Sequence, residues 1–251
     1  MTRTVVVLAA VLAAPPLWAA TVQVAVAANM AATFQQIAQA FTTHTGHTVR
    51  VSTASTGKLL LQIQNGAPFE VLLSADATTP TTLVAQGLAV PGSTFTYALG
   101  KLVLWSARPD VVDAEGRVLR EGAFQRLALA NPKLAPYGAA AIETLQALGQ
   151  LERARPRFVQ GENIAQAFQF VSTGNAELGF VALSQVAVPG QAPRGSHWVV
   201  PERLYRPIRQ DAVLLKRGEG QPAAEALMRF LRSAQARQII QTWGYGLAPA
   251  P

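Results

Sequence analysis

The sequence predicts an α/β fold of two lobes, each a mainly parallel sheet flanked by helices, with a ligand cleft between them. Three observations carry that expectation. Short apolar strands repeatedly stop at small or hydroxyl residues and restart as helices, first at Ala28-Asn29 and again at Ser55-Thr56-Gly57. The chain has 251 residues, 50% of them hydrophobic, enough to bury a sizeable core. Two long apolar runs, 95–105 and 209–216, are placed to carry the chain into a second lobe and back.

Residues 1–19 read as a cleaved secretory signal. Arg3 is followed by an apolar run over 5–14 that is too short to span a bilayer, then by Pro15, Pro16 and the small residues Ala19 and Ala20. The two prolines break the helix that an uncleaved anchor would need. Cleavage after Ala19 is preferred, because cleavage after Ala20 puts bulky Trp18 at the −3 position. Removal takes away Arg3 alone among the charged side chains, leaving +6 of the formal +7.

After the signal, a strand over 22–28 leads into a helix with Phe34, Ile37, Ala38 and Phe41 at helical spacing, ending at Gly46. A second strand begins at Val49, and a helix with Leu60 and Ile63 follows Gly57 and stops at 65–68. A strand over 69–74 precedes a helix around Leu83, capped by Asp76 or a neighbouring threonine. The second lobe is expected to hold strands at 126–130, 157–160 and 178–182 and helices at 137–148 and 164–173. A last amphipathic helix presents Leu227, Phe230, Leu231 and Ala234 on one face. The expected division is residues 20–98 with 205–251 for the first lobe and 99–204 for the second.

Several function classes are disfavoured. The lysines and arginines are scattered, with no basic helix and no aromatic-interleaved run, so no nucleic-acid partner is expected. There is no Gly-x-Ser-x-Gly, no His-Glu-x-x-His and no phosphate-loop Gly-Lys-Ser/Thr motif, so no enzyme and no catalytic residue is assigned. Gly218-Glu-Gly220 mimics a dinucleotide fingerprint, but Pro222 and its late position make it an ordinary loop. His44 and His47 end the first helix, where a solvated cationic pair favours the dipole, so no metal site is assigned. The absence of cysteine excludes disulfides, thiolate ligands and a lipidated tether. A free, soluble, untethered exported protein is expected in a Gram-negative periplasm.

Anion binding is the better signal. Ala28-Asn29 and Ser55-Thr56-Gly57 from the first lobe, and 135–138 and 162–165 from the second, each lie at an expected strand-to-helix junction. The first N–H groups of a helix lack intrahelical partners and sit at the positive end of its dipole. Any one junction is explained by simple capping. Four facing each other across a cleft favour a shared anionic ligand.

These segments, together with 62–68, 73–76, Gly100-Lys-Leu-Val-Leu-Trp105, 130–138 and Glu177-Leu-Gly-Phe-Val-Ala182, resemble the periplasmic molybdate-binding proteins of ABC transporters over essentially the whole mature chain. The resemblance implies a class II periplasmic-binding-protein fold that closes on a tetrahedral oxyanion, molybdate or tungstate, with no cofactor. It places ligand contacts at Ala28, Asn29, Thr56, Tyr137 and Ile164, the last two through their backbone N–H groups. Asn29 and Thr56 are expected to offer side-chain donors. Some members of that family carry a hydroxyl residue where this chain has Ala28, and others a tyrosine where it has Ala182. The implied partners are a membrane permease and its ATPase. A soluble monomer is expected, because the signal is cleavable and no hydrophobic stretch of spanning length follows it. A sulfate or other oxyanion receptor is the alternative, and an enzyme on the same fold comes after it.

Overall fold

The computed structural model describes residues 19–192 and 194–248; the expected signal therefore lies outside the described residues except for Ala19. Two five-stranded sheets organise the chain. The first contains β1 (Thr21–Ala27), β2 (Thr48–Ala54), β3 (Val71–Leu73), β4 (Phe95–Gly100) and a late strand, with α1 (Ala31–Thr45), α2 (Thr56–Gln64) and α3 (Thr78–Ala85) between them. The second contains β5 (Leu102–Ser106), β6 (Leu127–Ala130), β7 (Phe158–Gly161), β8 (Leu178–Ala182) and β9 (Ser196–Val199). Its connections include α4 (Val118–Glu121), α5 (Pro136–Ala147), α6 (Leu151–Ala154), α7 (Ile164–Ser172) and α8 (Leu183–Val186). The chain then returns as β10 (Ile208–Leu214) to the first sheet and ends in α9 (Pro222–Phe230) and α10 (Ala234–Thr242).

The sheet orders are β2-β1-β3-β10-β4 and β7-β6-β8-β5-β9. In each, four strands run one way and one runs against them: β10 pairs antiparallel with β3 and β4, and β5 with β8 and β9. The two reversed strands are those by which the chain enters each sheet from the other. The run expected as one long strand over 95–105 is broken at Lys101, with β4 in one sheet and β5 in the other.

Alternation along β1 shows how the first sheet is covered on both faces. Val22, Val24 and Val26 pack with Phe34, Ile37 and Phe41 of α1 and with Leu227 and Met228 of α9, whereas Ala25 faces Leu59 and Ile63 of α2 and Leu83 of α3. The second sheet likewise packs on α5 through Ala140, Ala141 and Leu145 and on α7 through Val171. Gly46 ends α1 in the left-handed conformation, φ 73°. The Asp76 carboxylate accepts from the Thr79 N–H at 2.8 Å, which caps α3 as expected.

Two expectations are corrected. The single C-terminal helix is two, because Ser233 restarts the helix by accepting the Ala236 N–H. His47 is not solvated: it is 7% exposed, and its Nδ1 accepts the Ala20 N–H at 3.2 Å. No described helix is long and apolar enough to cross a membrane.

Candidate functional site

The four strand-to-helix junctions meet at one small cavity between the sheets. Its walls are Ala27, Ala28, Asn29, Ser55, Thr56 and Ala75 from the first lobe and Ala135, Pro136, Tyr137, Asn163 and Ile164 from the second. The cavity left between the lobes is small, about 10 Å³. Larger depressions of about 470 and 610 Å³ exist, but the first mixes Asp76, Glu143, Arg206 and Arg209 and the second is walled by Trp105 and Phe168. No ionisable acid or base other than the Tyr137 phenol lines the small cavity, where the four junctions meet.

Local sequence dictates which amides are left for the cavity. In α5, Pro136 occupies the first position and has no N–H, while Gly138 and Ala139 donate to the Ala135 carbonyl at 2.9 and 3.1 Å. The Tyr137 amide is thus the first in that helix without an intrahelical partner. In α7, Asn163 Oδ1 accepts from Ala165 and Gln166 at 2.9 and 3.1 Å, which takes the second and third amides and leaves that of Ile164. In α2, Thr56 Oγ1 accepts the Ala75 N–H at 3.1 Å, so its own hydroxyl proton remains available. Ala28 and Asn29 form the first turn after β1, and Ala28 has only backbone to offer.

All five residues expected from the sequence as ligand contacts therefore border one cavity. Ala182 is buried in β8 and is not on its wall.

The side chain of Asn29 does not have the expected role. Its Nδ2 donates to Gln210 Oε1 at 2.8 Å and to Tyr245 Oη at 3.1 Å, so both amide protons are engaged away from the cavity. They enter a buried polar network that sequence reasoning did not find. Tyr97 Oη lies 3.1 Å from Gln210 Oε1, Gln210 Nε2 donates to Tyr137 Oη at 3.1 Å, and Ser184 Oγ lies 2.9 Å from Tyr245 Oη. Gln210 borders a register shift between β10 and β4 that leaves Tyr97 unpaired, the kind of bulge that re-aims side chains. Burial pushes the Tyr245 hydroxyl up to about 12, and raises Tyr97 and Tyr137 well above their ordinary value, so all three stay neutral hydrogen-bonding groups.

Contacts across the cleft hold the lobes together. The Gly57 N–H donates to the Leu134 carbonyl at 2.9 Å, Lys58 pairs with Glu162, and Ser184 Oγ donates to the Asn29 carbonyl at 3.2 Å. Gly57 permits that approach: a Cβ there would stand 3.0 Å from Leu134 Cδ2 and 3.1 Å from its Cα. At Gly100, where the chain leaves the first sheet, a Cβ would collide with Tyr137 Oη and Gln210 Nε2.

Comparison with known proteins agrees with this architecture. A molybdate-binding protein ModA of Azotobacter vinelandii is 56% identical over 247 residues, 98% of each chain. Its counterpart of the same name in Rhodobacter capsulatus is 51% identical over 230 residues, covering 92% of this chain and 90% of its own. The solved structure of an Azotobacter vinelandii periplasmic molybdate-binding protein superposes with a TM-score of 0.88 at 42% identity, over 90% of this chain and 99% of that one. The family model described as bacterial extracellular solute-binding protein matches residues 22–246. With two sheets closing on a shared cavity and a family match spanning both, the chain belongs to the bacterial extracellular solute-binding proteins.

Proposed function

We propose that the protein is a periplasmic receptor, not an enzyme, that captures molybdate, and tungstate with it, and delivers the anion to a membrane permease driven by an ATPase. The observation that carries the reading is the convergence of four helix starts, two from each sheet, on one cavity without charged side chains. The relatives named for molybdate binding support the choice of anion. In this reading the contacts are the N–H groups of Ala28, Asn29, Tyr137 and Ile164 and the Thr56 hydroxyl, and the receptor acts as a monomer.

The chemistry suits a fully deprotonated dianion, which needs donors only. Hydrogen bonds to a charged group contribute about 1.5–3 kcal/mol each. Several of them, less the cost of association, reach micromolar affinity at about −8 kcal/mol without a counter-charge. Phosphate carries one or two protons near neutral pH and must donate, and a ring of N–H and hydroxyl donors with no carboxylate accepts that proton poorly. Sulfate has the charge but shorter bonds, so donors set for a larger anion stand too far from its oxygens.

Calorimetric titration of the mature protein with molybdate, tungstate, sulfate and phosphate tests this. Molybdate and tungstate are expected to bind about a hundredfold tighter than sulfate, a difference of about 2.8 kcal/mol. Sulfate within about tenfold of molybdate would turn the assignment to a general sulfate-type receptor.

A further inference from the structure

Ser55 stands at the end of β2, one residue before α2, with extended backbone at φ −65° and ψ 149°. A serine in that place ordinarily caps the helix, its hydroxyl accepting an amide of the first turn. Here it makes no such bond. The residue is 3% exposed, it lines the cavity, and its Oγ has no hydrogen-bond partner among the described residues. Buried hydroxyls are nearly always satisfied, and one left without a partner weakens the fold that holds it. The neighbouring Thr56 shows the contrast, since its oxygen is fixed by the Ala75 N–H.

We propose that the Ser55 hydroxyl is a second side-chain donor to the bound oxyanion, adjacent to that of Thr56; the inference rests on the oxyanion reading given above. A hydroxyl rotates about its C–O bond at little cost, so Ser55 can turn its proton to an anion oxygen without any backbone adjustment. Unlike the amides, which the helices fix in place, it adapts to the size of the anion.

A helix cap and a ligand donor respond oppositely to substitution, and that separates them. Ser55→Ala and Ser55→Gly are each titrated with molybdate by calorimetry and melted without it. The donor role predicts a loss of affinity of about tenfold or more in both variants, with melting of the anion-free protein unchanged or raised. Ser55→Thr, which keeps the hydroxyl, is expected to stay within a few fold of the unsubstituted protein. A lower melting temperature for Ser55→Ala with unchanged affinity would make Ser55 a cap and overturn the proposal. If the unsubstituted protein binds molybdate and both hydroxyl-free variants bind it equally well, this inference fails alone. If the unsubstituted protein binds no molybdate, the oxyanion reading fails and takes this inference with it.

Discussion

At Thr56 the hydroxyl oxygen is taken by the Ala75 N–H, which leaves the proton for the cavity. Thr56→Val keeps the shape but removes both that proton and the acceptor of the Ala75 N–H, so affinity for molybdate should fall by about 1.5–3 kcal/mol by calorimetry, with some loss of stability in melts without ligand. Asn29→Ala acts differently because the Asn29 amide faces Gln210 and Tyr245. It strips donors from a buried network, and the expected first effect is a loss of stability of about 1–3 kcal/mol in denaturant melts without ligand. Tyr137→Phe removes only the hydroxyl that accepts from Gln210 and should weaken binding far less than Thr56→Val. The same network makes the fold sensitive to alkali. The tyrosine hydroxyls are held above their ordinary value by burial, so the folded state keeps protons that the unfolded chain releases. Their contribution is complete below about pH 10 and is lost as pH rises above it; for Tyr245 the loss runs from there toward 12 and amounts to something of order 3 kcal/mol. Melts at pH 8, 10 and 11 check the sign.

The helix starts and stops were legible in the sequence because their signals are local. Gly46 after α1, Pro136 opening α5 and Asn163 before α7 each act within one turn. The break between α9 and α10 has a local signal too, in Ser233, but the apolar face running through 227–234 masks it. What was not legible depends on partners distant in the chain. The direction of the Asn29 amide is set by Gln210, and the burial of His47 by the Ala20 amide and the Phe41 ring. The five proposed contact residues were readable because they sit at element ends; the network behind them joins Gln210 and Tyr97 from strand interiors to Ser184 of α8 and to Tyr245 beyond α10, residues far apart in the chain. At the start of α2, Gly57 illustrates how an element end sets function. Gly57→Ala suits a helix, so stability should hold or rise, yet its methyl presses on Leu134 and opposes closure. Stopped-flow release of molybdate is expected to quicken by about tenfold, equivalent to about 1.4 kcal/mol.

For the whole molecule, closure is held partly by the pair Lys58–Glu162, whose side chains are half exposed, so its contribution is below about 1 kcal/mol and falls with salt. Release should quicken modestly between 0.05 and 0.5 M salt, as order-of-magnitude conditions spanning the screening range. If the pair acts as a clasp, Lys58→Gln and Glu162→Gln both abolish that dependence. If Lys58 instead attracts the anion, Glu162→Gln tightens binding while Lys58→Gln weakens it. The nesting of one sheet within the other has a temporal meaning as well. The chain leaves the first sheet after β4 and supplies β10 only after all five strands of the second sheet. A ribosome working from the N-terminus therefore completes the inner lobe while the outer one still lacks the strand that joins β3 to β4. Pulse-labelled amides of β5 and β8 should gain protection before those of β3 and β10. Gln210, carried on that late strand, and Tyr245, which follows α10, together anchor Asn29, so the Asn29 wall of the cavity is fixed only once the C-terminal part of the newborn chain is in place.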